Sequence, residues 1–174
     1  MEVGLIAGEL GVDDYPTMTG RLEQIWLKRA HRGPMDRVES AMLVAGKGVA
    51  DSANFGSTRE VTIVSLERWL EITSELGADI DPSRRRADLL VSGVDLERSR
   101  GRLLNVGACL LRIGGEVRPC DRMEEAHRGL REVMAPRWGG GAWAEVIRGG
   151  EIRTSDPVAW HAELFADADS LDDS

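Results

Sequence analysis

The chain has 174 residues, of which 42% are hydrophobic and 30% charged, and its formal net charge is -8. This length and composition are typical of one globular domain with a core of its own. The acidic balance argues against a nucleic-acid partner, because non-specific binding needs a basic surface that displaces phosphate counterions. A local basic pocket remains compatible with this balance.

The sequence contains no sign of export or of membrane insertion. Its first residues lack the basic region and the long apolar run of a signal peptide. No stretch reaches the roughly 18 apolar residues that a membrane helix needs. Two cysteines, Cys109 and Cys120, are too few for a disulfide scaffold. We therefore expect a cytoplasmic protein with no membrane partner and with both thiols reduced.

The hydrophobic pattern divides the chain into three parts. Residues 1–19 show no sustained period and are predicted to form an N-terminal tail. Residues 161–174 are acidic and are predicted to form a C-terminal tail, since chain ends without apolar anchors fray. Residues 20–160 contain no linker and no internal repeat, so they are predicted to form one domain.

Most of the predicted elements are short strands. They are apolar or β-branched runs bounded by charged or turn-forming residues, and they cover residues 22–27, 38–44, 61–64, 89–91 and 108–113. A hairpin is predicted over residues 142–153, because Gly149 and Gly150 supply the positive φ angles of a two-residue turn.

Two helices interrupt the predicted strands. The first covers Leu66–Leu76, with Ser65 as its N-cap and Gly77 at its end. Its apolar residues recur at the spacing of one helix face.

The second predicted helix covers residues 122–135, and Pro136 ends it. Asp121 is the expected N-cap, with Glu124 completing a capping box. Many short strands with few helices predict a mainly β fold, specifically a β-barrel with a few short helices.

Cys120 is the residue most suited to chemistry. It lies in the segment Arg118-Pro-Cys-Asp-Arg122, directly before the second predicted helix. The helix N-terminus and the two arginines favour the thiolate form, whereas Asp121 opposes it. The alternative is a buried cysteine that behaves as a small hydrophobic residue. Cys109 alternates within an apolar strand and is assigned to the core.

Two groups of arginines offer candidate anion ligands. Arg84, Arg85 and Arg86 follow one another just before a strand. They form either a solvated turn or a turn in which one guanidinium points inward to hold a phosphate or an oxyanion. Arg59 precedes the strand at residues 61–64, where it is either a strand-edge cap or a ligand at the mouth of the barrel.

Four segments of the chain, in this order, resemble the MOSC domain, the module named for the C-terminal region of molybdenum cofactor sulfurases. They are residues 48–56 with 59–63, residues 85–96, the Pro119-Cys120 pair with Arg122-Met123, and residues 149–152 with 156–158. The resemblance covers roughly residues 21–158. It implies a β-barrel fold.

The resemblance also implies a chemical role for the Pro-Cys cysteine. In such proteins this cysteine carries sulfur as a persulfide or ligates molybdenum in the molybdopterin cofactor, and Cys120 would take that role. Arg59, Arg86 and Asp88 fall on polar pocket positions. Together with the two flanking cations, Arg118 and Arg122, they are the candidate cofactor-binding residues. The family is also associated with pyridoxal phosphate. A sulfur donor or a molybdoenzyme is the implied partner.

The chain departs from the family pattern at two positions. Asp88 stands where asparagine is usual, and Ser155 stands where glycine often precedes Asp-Pro. A carboxylate at position 88 is expected to weaken phosphate binding unless Arg86 pairs with it.

Three functions remain open at this point. The first is a sulfur carrier or molybdenum-cofactor-binding module. The second is a molybdenum-dependent reductase of N-hydroxylated compounds that works with an external electron donor. The third is a non-catalytic binding domain that retains the fold.

Overall fold

The structure is a computed structural model and describes residues 19–162. The tails predicted for residues 1–19 and 161–174 lie outside the described residues, apart from Thr19, His161 and Ala162.

Short strands make up most of the described chain. They are β1 (Gly20–Lys28), β2 (Met35–Val38), β3 (Ser40–Val44), β4 (Gly48–Val49), β5 (Val61–Ser65), β6 (Leu89–Ser92), β7 (Leu103–Val106), β8 (Cys109–Glu116), β9 (Ala142–Arg148), β10 (Gly150–Arg153) and β11 (Pro157–Trp160). The helices are α1 (Leu66–Leu76), α2 (Asp121–Ala126) and α3 (Leu130–Met134), with 3-10 turns at Pro82–Arg85 and Pro136–Trp138. None of the helices in residues 19–162 is long and apolar enough to cross a membrane.

Seven strands form a closed barrel. They follow one another in the order β1, β6, β5, β9, β8, β7 and β11, and β11 pairs with β1 to close the ring. Strand β2 extends from β1, and β10, β3 and β4 form a second sheet. Only β5 and β6 run parallel, among the strand pairs of the described chain, because helix α1 connects them. The predicted mainly β barrel with a few short helices is confirmed.

The inward-facing side chains of the strands form the main core. Its fully buried members include Leu22, Ile25, Ile63, Leu104, Leu111 and Ile113. Cys109 belongs to this cluster and is fully buried, as predicted. Burial raises the pKa of the Cys109 thiol.

Helix α1 begins and ends where the sequence predicts. The Ser65 hydroxyl accepts a hydrogen bond from the backbone N–H of Arg68 at 3.2 Å. Gly77 ends the helix in the left-handed conformation, with φ of 66°. Trp69 and Ile72 are buried against apolar residues of α2 and α3, so this helix packs on the pair of helices that follows Cys120.

The predicted helix over residues 122–135 is wrong in its length and in its cap. Gly129, with φ of 88°, separates α2 from α3. Cys120, not Asp121, is the N-cap residue, and its side chain makes no capping hydrogen bond. Asp121 pairs with Arg131, and Glu124 accepts from the backbone N–H of Gly129. The capping-box residues are therefore engaged elsewhere.

The predicted hairpin over residues 142–153 is also wrong. Strand β9 pairs with β5 and β8 in the barrel, whereas β10 pairs with β3 in the second sheet. A Cβ on Gly149 would lie 2.3 Å from the carbonyl oxygen of Leu43. Gly149 therefore permits a close approach between two sheets at the point where the chain leaves the barrel.

Candidate functional site

Cys120 lies in the connection between strand β8 and helix α2, and its side chain is exposed. The buried alternative is thus excluded. Its backbone is extended, with φ of -120°, and its carbonyl oxygen accepts from the N–H of Met123 at 2.9 Å. Helix α2 has only six residues, so it contributes less to anion stabilisation than the longer predicted helix would. Positive charge near Cys120 must then come from side chains rather than from the end of the helix.

Arg85 supplies such a charge from the 3-10 turn before β6. Its Nε donates a hydrogen bond to the carbonyl oxygen of Gly140 at 2.6 Å. Burial lowers the pKa of Arg85 to about 10, and the positive charge of Arg59 lowers it as well. Negative charge on Cys120 and Asp88 opposes this decrease. The guanidinium stays protonated at neutral pH, and the field of Arg85 reaches Cys120.

Three consecutive glycines bring the parts of this site together. A Cβ on Gly140 would lie 2.1 Å from the carbonyl oxygen of Val117 and 3.3 Å from the nitrogen of Pro119. A Cβ on Gly141 would lie 2.2 Å from the carbonyl oxygen of Ile63. The chain that carries Cys120 therefore rests directly on residues 139–141, to which Arg85 is also bonded. Sequence reasoning did not single out this triplet, although three adjacent glycines between tryptophans mark a close backbone approach.

Asp88 is 2% exposed and lies directly before β6. Its Oδ2 accepts from the backbone N–H of Thr62 at 2.8 Å and from the Thr62 hydroxyl at 3.1 Å. Oδ1 is buried without a hydrogen-bond partner among residues 19–162. Burial raises the pKa of Asp88, while the Thr62 hydrogen bonds and the charges of Lys28 and Arg85 oppose the rise.

Lys28, the last residue of β1, also belongs to this region. Burial lowers the pKa of Lys28; Asp88 opposes the shift, and Arg86, Arg122 and Arg85 reinforce it. Sequence reasoning missed this lysine, and the available signal was a charged residue directly after the apolar run at residues 25–27. The cations that interact with Cys120, Asp88 or one another here are Lys28, Arg59, Arg85, Arg86 and Arg122. We call these five residues the cation cluster.

Arg86 and Arg122 fix the loop that follows β1. Arg86 donates from Nη1 to the carbonyl oxygen of Gly33 at 2.6 Å and from Nη2 to that of His31 at 3.2 Å. Arg122 donates from Nη1 to the same His31 oxygen at 3.1 Å. Arg86 makes no ion pair with Asp88 within residues 19–162, so the pairing that would relieve the effect of this carboxylate on phosphate binding is not formed there. The Nε of Arg86 is buried without a partner in the described part of the chain.

The structure does not bring all predicted ligands to one place. Arg59, Arg86, Asp88 and Arg122 share the electrostatic environment described above. Arg118 is exposed and lines a separate cleft of about 480 Å³ with Glu124 and Arg131. Within residues 19–162, no group of three or more histidine, cysteine, aspartate or glutamate side chains is arranged to hold a metal ion.

Solved structures share this fold at low sequence identity. YuaD from Bacillus subtilis superposes with a TM-score of 0.70 at 20% identity, covering 80% of this chain and 94% of its own. YiiM from Geobacillus stearothermophilus gives 0.67 at 12% identity, covering 83% and 76%. YiiM from Escherichia coli gives 0.62 at 16% identity, covering 82% and 70%.

Sequence comparison identifies the family. Comparison with curated protein sequences gives no match. The family model described as the MOSC domain matches residues 50–159, from the chain after β4 to the end of the barrel in β11. This match covers more than half of the 174 residues, so the chain belongs to the MOSC domain family.

Proposed function

We propose that this MOSC domain is a sulfur-carrier module in which Cys120 bears the transferred sulfur as a persulfide. The observation that carries the proposal is an exposed thiol in the field of Arg85, with the rest of the cation cluster alongside. Exposure lets a donor reach the sulfur, which is the first requirement for its transfer.

The transfer step follows ordinary thiol exchange chemistry. The Cys120 thiolate attacks the outer sulfur of a persulfide donor, forms a new S–S bond, and displaces the donor's inner sulfur as a thiolate. The proton of the donor's outer sulfur stays with the new persulfide on Cys120. The step is an exchange between sulfur atoms and needs no external oxidant or reductant.

The other residues of the site position and stabilise the anionic sulfur. Arg85 is fixed by its hydrogen bond to Gly140, which in turn contacts the chain just before Cys120. Backbone contacts thereby hold Arg85 next to the segment that carries Cys120. Asp88 is buried, with one carboxylate oxygen bound to Thr62, and a single carboxylate can offset only one of the five positive charges.

A second candidate function is binding of the molybdenum cofactor, with Cys120 as a metal ligand. The residues present fit such a group: one exposed thiol is available, and the five cations of the cluster outnumber the single Asp88 carboxylate, which by itself weakens phosphate binding. The partnerless Nε of Arg86 is a further donor. When bound, the cofactor would supply redox chemistry at the metal. Cys120 would hold the metal, and Lys28 and Arg86 would hold the phosphate.

Intact mass spectrometry of the freshly purified protein tests both candidates. A reductant-labile gain of one sulfur atom, about 32 Da, that maps to Cys120 is expected for the carrier. The Cys120→Ser variant should not gain this mass, whereas the Cys109→Ala variant should. Protein that is incubated with a persulfide donor and still gains no sulfur at Cys120 would exclude the carrier function. Co-purified molybdenum that is lost in Cys120→Ser would favour the second candidate.

A further inference from the structure

A basic cleft with a volume of about 520 Å³ shares Arg86 and Arg122 with the cation cluster. Its walls come from the loop after β1, the 3-10 turn Pro82–Arg85 with Arg86, and helix α2. Cys120 is not among its lining residues. Arg32 and Arg84 line the cleft but lie outside the cation cluster, so variants at these two positions separate binding in the cleft from sulfur chemistry at Cys120.

The charges of this cleft are one-sided. Four arginines line it, namely Arg32, Arg84, Arg86 and Arg122, against a single carboxylate, Glu125. The chain as a whole carries a formal charge of -8, so the cleft is a positively charged region on a negatively charged protein. Arg32 and Arg84 are exposed, and their guanidinium groups make no hydrogen bond or ion pair within the described residues.

The cleft is built around fixed backbone. Arg86 and Arg122, from two different elements, both donate to the carbonyl oxygen of His31, and Arg86 also donates to that of Gly33. These bonds hold the loop that carries Arg32. Arg86 and Arg122 are thus placed by main-chain contacts made within the protein.

We infer that this cleft binds an organic phosphate of the size of a nucleoside diphosphate. Arginine forks match phosphate oxygens in pairs, and four of them suit a ligand with more than one negative charge. The volume lies within the range of about 300–1,000 Å³ that is usual for small-molecule sites, and it exceeds what a bare phosphate fills. Pro34, Met35 and Ala126 give the cleft an apolar wall for a ring, and Glu125 can accept a hydrogen bond from an amine or a hydroxyl group.

Isothermal titration with ADP, pyrophosphate and adenosine tests the inference on the full chain. ADP should bind one to one, and adenosine at least about tenfold more weakly, because it lacks the groups that arginine recognises. The double variant Arg32→Gln, Arg84→Gln should weaken ADP binding by about tenfold or more. The matched control Arg37→Gln removes an exposed arginine outside the cleft and should bind ADP like the wild type.

A variant of Glu125 distinguishes binding that depends on phosphate charge alone from binding that also involves the rest of the ligand. The Glu125→Ala variant should weaken binding of ADP and strengthen that of pyrophosphate, since only ADP has a donor for the carboxylate. Absence of ADP binding, equal binding by the double variant, or pyrophosphate binding as tightly as ADP would overturn the inference. Because Arg32 and Arg84 lie outside the cation cluster, sulfur loading of Cys120 in the double variant reports on the proposed function independently.

Discussion

Arg85 and Gly140 are joined by a 2.6 Å hydrogen bond from the arginine Nε to the glycine carbonyl oxygen. This bond links the turn before β6 to the glycine triplet on which the Cys120 segment rests. Its main consequence is that Arg85, 35 residues upstream of Cys120, places a positive charge near the thiol.

Removing the charge of Arg85 should slow the reaction of Cys120 with iodoacetamide at pH 7. We expect Arg85→Gln to react about fivefold more slowly, since one nearby charge at an effective dielectric constant of about 20 contributes on the order of 1 kcal/mol. Arg84→Gln removes the neighbouring exposed charge and should react like the wild type. Equal rates for Arg85→Gln and the wild type would show that Arg85 does not influence the thiol.

Adding a methyl group at Gly140 should destabilise the fold. A Cβ there would lie 2.1 Å from the carbonyl oxygen of Val117, so the backbone must shift. We expect Gly140→Ala to lower the free energy of unfolding by about 3 kcal/mol, in the range of severe core substitutions. In the control Gly33→Ala the nearest atom would be the Ala30 side chain at 3.3 Å, and the loss should stay below about 1 kcal/mol. Urea unfolding of both variants measures the difference.

The two cysteines should differ sharply in labelling. Cys120 is exposed and Cys109 is fully buried in the barrel core. Under native conditions a maleimide should modify one thiol per chain, at Cys120, and the second only after unfolding in denaturant. Peptide mapping identifies the modified residue. Rapid native labelling of Cys109 would contradict the described packing of β8.

The stability of the protein should carry a pH dependence from Asp88. Its pKa is raised by burial, so the folded state holds a proton that the unfolded chain releases. This contribution stabilises the fold at low pH and is lost as pH rises from the unfolded pKa, near 3.9, through the raised folded pKa. In Asp88→Asn the contribution is absent.

The melting temperature of Asp88→Asn minus that of the wild type should therefore increase between pH 4 and pH 7. A rise of about 3 °C corresponds to roughly 1 kcal/mol in a domain of this size. Differential scanning calorimetry across this range measures the trend. The opposite trend would mean that pairing with Lys28 and Arg85 outweighs the burial of Asp88.

The loop after β1 should become sensitive to trypsin when its clamps are removed. Arg86 and Arg122 hold the carbonyl oxygens of His31 and Gly33. In the variant Arg86→Gln, Arg122→Gln, cleavage after Arg32 should be at least about tenfold faster, because local opening exposes the backbone. Arg37→Gln serves as the control. An unchanged cleavage rate would show that the loop is held by other contacts.

Local patterns predicted the parts of the fold whose contacts are close in sequence. Helix α1 was predicted with its correct ends because Ser65 and Gly77 are caps whose geometry depends only on neighbouring residues. The strand at residues 61–64 was predicted for a similar reason, since β-branched runs favour strands locally. The barrel then followed from the number of such runs.

The errors arose where distant contacts decide the structure. Gly129 interrupts an apolar stripe that otherwise has helical spacing, so one predicted helix became two. Gly149 has the signature of a tight turn but serves a close approach to Leu43 in another sheet. For the candidate site, the sequence indicated Cys120 and the arginine run. That Arg85 interacts with Cys120, and that Lys28 belongs to the cation cluster, depends on tertiary packing.

The pairing of Gly20 with Val158 closes the barrel and places the first and last strands of the described domain side by side. A circularly permuted chain could therefore join these strands through a short linker and begin instead at the exposed turn of residues 45–47. Such a permutant would change the order in which the strands are synthesised while keeping the order in which they pair in the barrel. It would show whether the pairing of the strands or the order of their synthesis determines how the barrel that carries Cys120 folds.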